Sequence, residues 1–186
     1  MSVLTIHEAE RPDVFERFDD PAIIASRLQA IDVLFERWEA SLDLSTSSSS
    51  EEILKAYRAP VDRLMDHYGF QSVDVISLGP DHPDRNALRA KFLSEHTHAE
   101  FEVRFFVKGQ GLFFLHAGHR VFVVLCERGD LISVPAGMRH WFDMGEHPNF
   151  QCIRFFTNPE GWVANYSGDL IAEAYPKLES FIETVS

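Results

Sequence analysis

EHTHAEFEVRFF, residues 95–106, is the stretch whose reading decides the fold. Side chains alternate faces along a strand with a period of two residues. His96, His98, Glu102 and Arg104 all occupy even positions, so in an extended segment the four point the same way. Two imidazoles at i and i+2, with a carboxylate four residues on, can close on one metal ion from a single strand. A Glu and an Arg inside an apolar run support this reading, because buried charges need partners. The texture after residue 95 is that of short strands: 101–107, 112–116, 120–126, 131–134, 140–143 and 150–156. They are punctuated by Gly109-Gln110-Gly111, Ala117-Gly118-His119, Arg128-Gly129-Asp130 and Pro135-Ala136-Gly137. Six short strands with regular turn signals predict a sandwich or barrel. In such a fold a third imidazole, His140, arrives from a later strand, just past the turn PAGMRH.

Three imidazoles and a carboxylate suit Fe(II), Ni(II), Mn(II), Co(II) or Zn(II) rather than calcium or magnesium. In an octahedral site they leave two adjacent positions, room for a substrate that chelates through neighbouring oxygens. Neutral imidazoles with one carboxylate leave such a centre positive, and Arg104 adds to that. The site therefore favours an anionic oxygen chelate. Phe92 precedes the ligand segment, and Phe142 shares the face of His140.

The first half reads as mixed helix and strand. Asp20-Pro21 is a cap followed by proline at the first helical position, opening a helix to about Ile31. VLFERW (33–38) alternates like a short strand, and residues 44–50 form a polar Ser/Thr loop whose last serines precede Glu51 and Glu52. An amphipathic helix follows (Ile53, Leu54, Tyr57, Val61, Leu64, Met65, Tyr68), ends at Gly69 and is kinked or split by Pro60. VDVISL (73–78) is a strand, Pro83 opens a helix to about Leu93, and a last helix spans about Asp169 to Tyr175 before Pro176. With 186 residues, no internal repeat and no linker, one domain over 1–186 is expected.

The formal net charge of −12 argues against nucleic acid or an anionic membrane as the main partner. Cys126 and Cys152 sit in apolar strand-like runs and read as buried thiols, and without a CxxC a thiolate zinc site is not expected. The start lacks the basic and apolar regions of a signal peptide, and no run of about 18 apolar residues suggests a membrane span. A soluble cytoplasmic protein is the expectation, and nothing demands more than a monomer. His7, His67, His82, His119 and His147 lie in polar or turn contexts and read as solvated. His116 ends a strand and reads as structural.

The HxHxxxE…H arrangement with its Gly and Pro turns resembles the cupin superfamily, a mainly β, double-stranded β-helix (jelly-roll) barrel. EHTH, EVRFFV, GDLISVPAG, RHWFDMG and NPEGW are similar to the acireductone dioxygenases of methionine salvage, a likeness running from FERW and DVISL to SGDLIAEAYP. That resemblance implies cleavage by O₂ of an acireductone, a 1,2-dihydroxy-3-keto-pentene carrying a methylthio group. With Fe(II) the products are formate and a 4-methylthio-2-oxo acid. With Ni(II) they are a methylthio-propanoate, formate and carbon monoxide. It places one metal per chain on His96, His98, Glu102 and His140, substrate-site arginines at Arg104 and Arg154, and pocket aromatics at Phe92, Phe142 and Trp162. The position before the ligand glutamate, commonly acidic in that family, is Phe101 here. No carboxylate stands at that position to act as a base. Other cupin enzymes, or a non-catalytic metal-binding cupin, are the competing readings.

Overall fold

The structure is a computed structural model, which describes residues 1–40, 48–158 and 163–186. Part of the polar Ser/Thr loop, and Trp162, fall outside the described residues. Twelve strands are seen among the described residues. They are β1 (Val3–Glu8), β2 (Arg11–Phe18), β3 (Leu34–Arg37), β4 (Ser72–Leu78), β5 (His96–Thr97), β6 (Glu102–Lys108), β7 (Gln110–Ala117), β8 (Arg120–Glu127), β9 (Asp130–Val134), β10 (Arg139–Asp143), β11 (Phe150–Phe156) and β12 (Asn165–Tyr166). The helices are α1 (Pro21–Gln29), α2 (Ser50–Ala56), α3 (Arg58–Tyr68), α4 (Arg85–Leu93) and α5 (Leu178–Val185).

Two sheets face each other, as a jelly-roll barrel requires. The larger runs β12-β5-β10-β7-β8-β1-β2 and the smaller β3-β9-β6-β11-β4. All their pairings are antiparallel. Between them lies a core of Leu4, Ile6, Phe113, Leu115, Phe122 and Phe142 from one side, with Phe106, Ile132, Val134 and Phe150 from the other. The central strands β6, β7, β8, β10 and β11 are buried on both faces. α5 and Tyr175 cover Val121, Val123, Phe114 and Trp141 on the outside of the larger sheet. α2 and α3 cover Val103, Phe105, Leu131 and Phe155 on the outside of the smaller one. Double coverage explains why RVFVVLCE and FQCIRFF are nearly continuous apolar runs rather than alternating ones.

The local signals behave as their chemistry requires. Asp20 accepts from the backbone N–H of Ala22 and Ile23 at the start of α1. Ser49 and Glu52 form a capping box at α2. The amphipathic segment splits at Tyr57, and Pro60 falls in the first turn of α3, where a missing N–H is harmless. Cys126 and Cys152 are free and fully buried, and burial pushes both thiol pKa values up.

Three expectations need correction. The N-terminal hairpin β1–β2 is not anticipated, because all but one residue of Val3–Glu8 is buried and no period-two pattern shows. The expected 169–175 helix is only a 3₁₀ turn, Ile171–Ala174, and the true terminal helix, α5, begins after Pro176. His7 is not solvated. It is 3% exposed, bonded to Thr5 Oγ1 and the Pro12 carbonyl, and its ring lies against Tyr175. His116 is buried on the outer face of its sheet, with Nδ1 2.6 Å from the Glu95 carboxylate.

Candidate metal centre and active-site cavity

His96, His98, Glu102 and His140 meet inside one end of the barrel, their ligand atoms all within 4.8 Å of one another. His96, His98 and Glu102 do not share one strand, as the even spacing suggested, whereas His140 does come from a later one. His96 lies on β5 of the larger sheet, and His98 follows directly. The chain then crosses over residues 99–101 to β6 of the smaller sheet, which carries Glu102. His140 stands opposite His96 on β10. The four ligands therefore converge across the gap between the sheets.

The hydrogen bonds show which atoms are presented. His96 Nδ1 lies 2.7 Å from the Ser94 carbonyl, His98 Nδ1 2.9 Å from that of Val163, and His140 Nδ1 2.8 Å from that of Met138. A carbonyl only accepts, so each Nδ1 donates and each neutral ring turns an Nε2 lone pair toward the centre. Outer bonds of this kind fix tautomer and orientation at metal sites. The Nε2 atoms of His98 and His140 stand 2.9 and 3.2 Å from the same oxygen of Glu102. Two ring lone pairs and a carboxylate oxygen at such distances require a cation between them, either a metal ion or a proton on the ring. Donors in adjacent positions around an ion bound at about 2.1 Å lie about 3.0 Å apart. The donor set therefore fits a divalent transition metal. Burial, then the neighbouring His140, push the His96 pKa down to about 4, leaving that imidazole neutral and ready to bind. Burial opposes ionisation of Glu102, but Arg104, His140 and His98 outweigh it and hold its carboxyl well below the usual carboxylate range.

The ligands His96, His98 and Glu102 open onto a cavity of about 730 Å³, which Phe92, Arg104 and Arg154 also line. Arg104 is 1% exposed, and its Nε donates to the outer oxygen of Glu102 at 2.8 Å. The rings of Phe142, Phe92 and Phe113 surround its guanidinium at 4.7, 5.5 and 5.6 Å from their centroids. Cation–π contacts of this kind strengthen when desolvated. Phe142 thus backs Arg104 rather than lining the cavity. Arg154 lines it but is held by Asp74, through Nε at 2.8 Å and Nη2 at 2.6 Å.

Gly111 shows how tight this packing is. A Cβ there would come within 2.4 Å of the Phe142 ring. Gly111→Ala is expected to cost about 1–3 kcal/mol, as overpacked cores do. A chemical denaturation midpoint unchanged from that of the native protein would show that Phe142 can move aside freely.

Sequence reasoning missed Asp74, Lys91 and Tyr166, all in the cavity lining. Asp74 was within reach of the logic applied to Glu102, since it is a carboxylate in the apolar run VDVISL. Tyr166 was not, because β12 reaches His96 from a distant part of the chain. Phe101 is 45% exposed and lines a separate apolar pocket with Tyr68 and Phe70. It has no access to the metal centre.

A family model described as the ARD/ARD' family matches residues 4–164. The acireductone dioxygenase of Aquifex aeolicus (strain VF5) is 54% identical over 182 residues, covering 98% of this chain and 99% of that protein. That of Enterobacter sp. (strain 638) is 56% identical over 179 residues, covering 96% and 99%. The structure of acireductone dioxygenase from Bacillus anthracis, with a cadmium ion in its active center, superposes with a TM-score of 0.81 at 34% identity. That superposition covers 89% of this chain and 98% of the other.

Proposed function

The chain belongs to the ARD/ARD' family, and from that membership and the geometry of its centre we infer that it is a metal-dependent acireductone dioxygenase. The observation that carries this reading is the convergence of three tautomer-locked imidazoles and Glu102 at the base of a cavity that also holds a buried arginine. The substrate is an acireductone and the co-substrate O₂. No helix among the described residues is long and apolar enough to cross a membrane. The reading of the enzyme as a cytoplasmic monomer rests on its sequence alone.

A divalent metal, Fe(II) or Ni(II), would be held by His96, His98, Glu102 and His140 and would supply a Lewis acid and a template for the substrate oxygens. The chain does the rest. Arg104 holds the enediolate head by charge-assisted hydrogen bonds, with three phenylalanine rings around its guanidinium in place of water. The same side chain orients Glu102 through Nε, so it serves both ligand and substrate. Phe92 contributes apolar wall beside the reacting carbons and keeps water from them. Asp74 and Glu102 are the carboxylates of the described lining, and each is engaged by an arginine.

Arg104→Ala is expected to weaken metal affinity about 10–100-fold, as loss of a group supporting a ligand does. It should also abolish the spectral change on anaerobic addition of substrate. Metal affinity at the native level would restrict Arg104 to the substrate, and native substrate binding would remove it from the site.

The function itself is tested by stripping the protein, reloading it separately with Fe(II) and Ni(II), and measuring O₂ uptake with acireductone. The Fe(II) form is expected to yield formate and the 2-oxo acid, and the Ni(II) form to release carbon monoxide into the headspace. One identical product set would remove the metal-dependent switch and leave the dioxygenase. No O₂ uptake with either metal would overturn the assignment.

A further inference from the structure

The inner face of the smaller sheet carries two arginines side by side. Arg154 of β11 lies directly opposite Arg104 of β6, and on its other side opposite Asp74 of β4. Like charges opposite one another on neighbouring strands repel. Among the described residues Arg104 is matched by Glu102 and Arg154 by Asp74. The two matches differ in kind. Glu102 gives its second oxygen to the imidazoles, so it is committed to the metal centre. Asp74 gives both oxygens to Arg154 in a fork-to-fork pair, the geometry by which arginine binds carboxylates and phosphates.

This second pair sits on the cavity wall, with the Arg154 side chain 23% and that of Asp74 46% exposed, on and next to the edge strand β4. An ion pair so exposed contributes little to stability, so fold stability does not account for it. Beside it the lining is apolar or small: Val73, Phe156 and Ala164. Lys91 also lines the cavity, but it belongs to α4, which packs on the larger sheet, and as a point charge it does not reproduce the guanidinium fork.

We propose that Asp74 sets the specificity for the substrate's tail: by filling the fork of Arg154 it converts an anion-binding group into a neutral patch, so the cavity accepts acireductones whose tail is uncharged. The proposal rests on the acireductone reading, and it gives the neighbouring walls that face the two ends of the substrate opposite characters. The head end, with Arg104, takes an anion. The tail end, self-neutralised, takes an apolar group such as a thioether and offers no free charge to a second carboxylate.

The test compares kcat/KM for the methylthio acireductone and for an analogue whose methylthio group is replaced by a carboxylate. Native, Asp74→Asn and Asp74→Asn/Arg154→Gln proteins are used, all metal-loaded, with metal content as the control for an intact site. The acidic-over-neutral ratio is expected to rise at least about tenfold in Asp74→Asn, as a carboxylate gains a charge-assisted pair, and to fall back in the double variant. Calorimetric binding of succinate, which needs no turnover, should show the same order. An unchanged ratio and unchanged succinate affinity in Asp74→Asn overturn the proposal, and so does a gain that survives loss of Arg154. A native protein inert toward the methylthio substrate would overturn the acireductone reading instead. The succinate series would then still decide whether Asp74 screens Arg154.

Discussion

His140→Ala is expected to lose its bound metal and, with it, turnover. His140 is 2% exposed, its Nδ1 is locked by the Met138 carbonyl, and its Nε2 stands 3.2 Å from Glu102 Oε2. Removal leaves His96, His98 and Glu102, with a buried void where the ring was. Loss of a group that merely supports a ligand weakens metal binding about 10–100-fold, and loss of the ligand itself should exceed this. Metal analysis of the purified variant should give far less than one ion per chain, and O₂ uptake should fall by at least about a hundredfold. The variant should keep its fold, because the sandwich core around Phe106, Phe113 and Phe150 does not depend on the imidazole. Stoichiometric metal with full activity would dissolve the four-ligand site.

The largest loss of stability is expected far from the chemistry, in Asp143→Ala. Asp143 is fully buried. One of its oxygens accepts Arg89 Nε at 2.7 Å and the Gly145 N–H at 3.0 Å. The other accepts Arg89 Nη2 at 2.9 Å and the Leu178 N–H at 2.9 Å. One carboxylate thus ties β10, α4 and the first turn of α5 together. Breaking a buried pair by removing one partner costs about 3–5 kcal/mol. In a chain of this size each kcal/mol lowers Tm by about 2–4 °C, so a fall of about 6–20 °C should appear by calorimetry. A fall under about 2 °C, less than a single kcal/mol, would show that the network is dispensable. The pH dependence has a definite sign. Burial raises the Asp143 pKa, but the Arg89 hydrogen bonds and the backbone N–H groups of Leu178 and Gly145 outweigh it and leave it below the ordinary value. A depressed carboxyl contributes stability that is present above the unfolded value of about 4 and lost as the pH falls through the folded one. The native protein should lose this contribution on acidification, and Asp143→Asn should show a flatter acid limb.

Much of this was legible in the chain. The six strands after residue 100 announced themselves, because their turns carry glycine and proline at fixed intervals and their interiors are apolar. The four ligands were also legible, although the parity argument reached them by an incomplete route. It holds for Glu102, Arg104 and Phe106 along β6, whereas His96 shares their direction only because the chain crosses between sheets at 99–101. The misses have one physical source, contact between distant parts of the chain. His7 lies in a polar neighbourhood of sequence, yet is buried because Tyr175 and Phe15 pack against its ring. The hydrogen bond of Val163 to His98 spans 65 residues, and no local pattern encodes it. Helix α5 is the exception. Leu178, Phe181, Ile182 and Val185 have helical spacing, but Pro176 was taken as an end when it lies just before a beginning.

His96 and His140 are fixed to the larger sheet and Glu102 to the smaller, so an ion held by all of them is a rivet through the sandwich. Opening the barrel at this end means releasing the ion, and the free energy of opening then includes the free energy of binding. By mass action, free metal at a thousand times its dissociation constant adds about 4 kcal/mol to the folded state. The melting temperature of this protein is therefore a reading of metal supply as much as a property of its sequence.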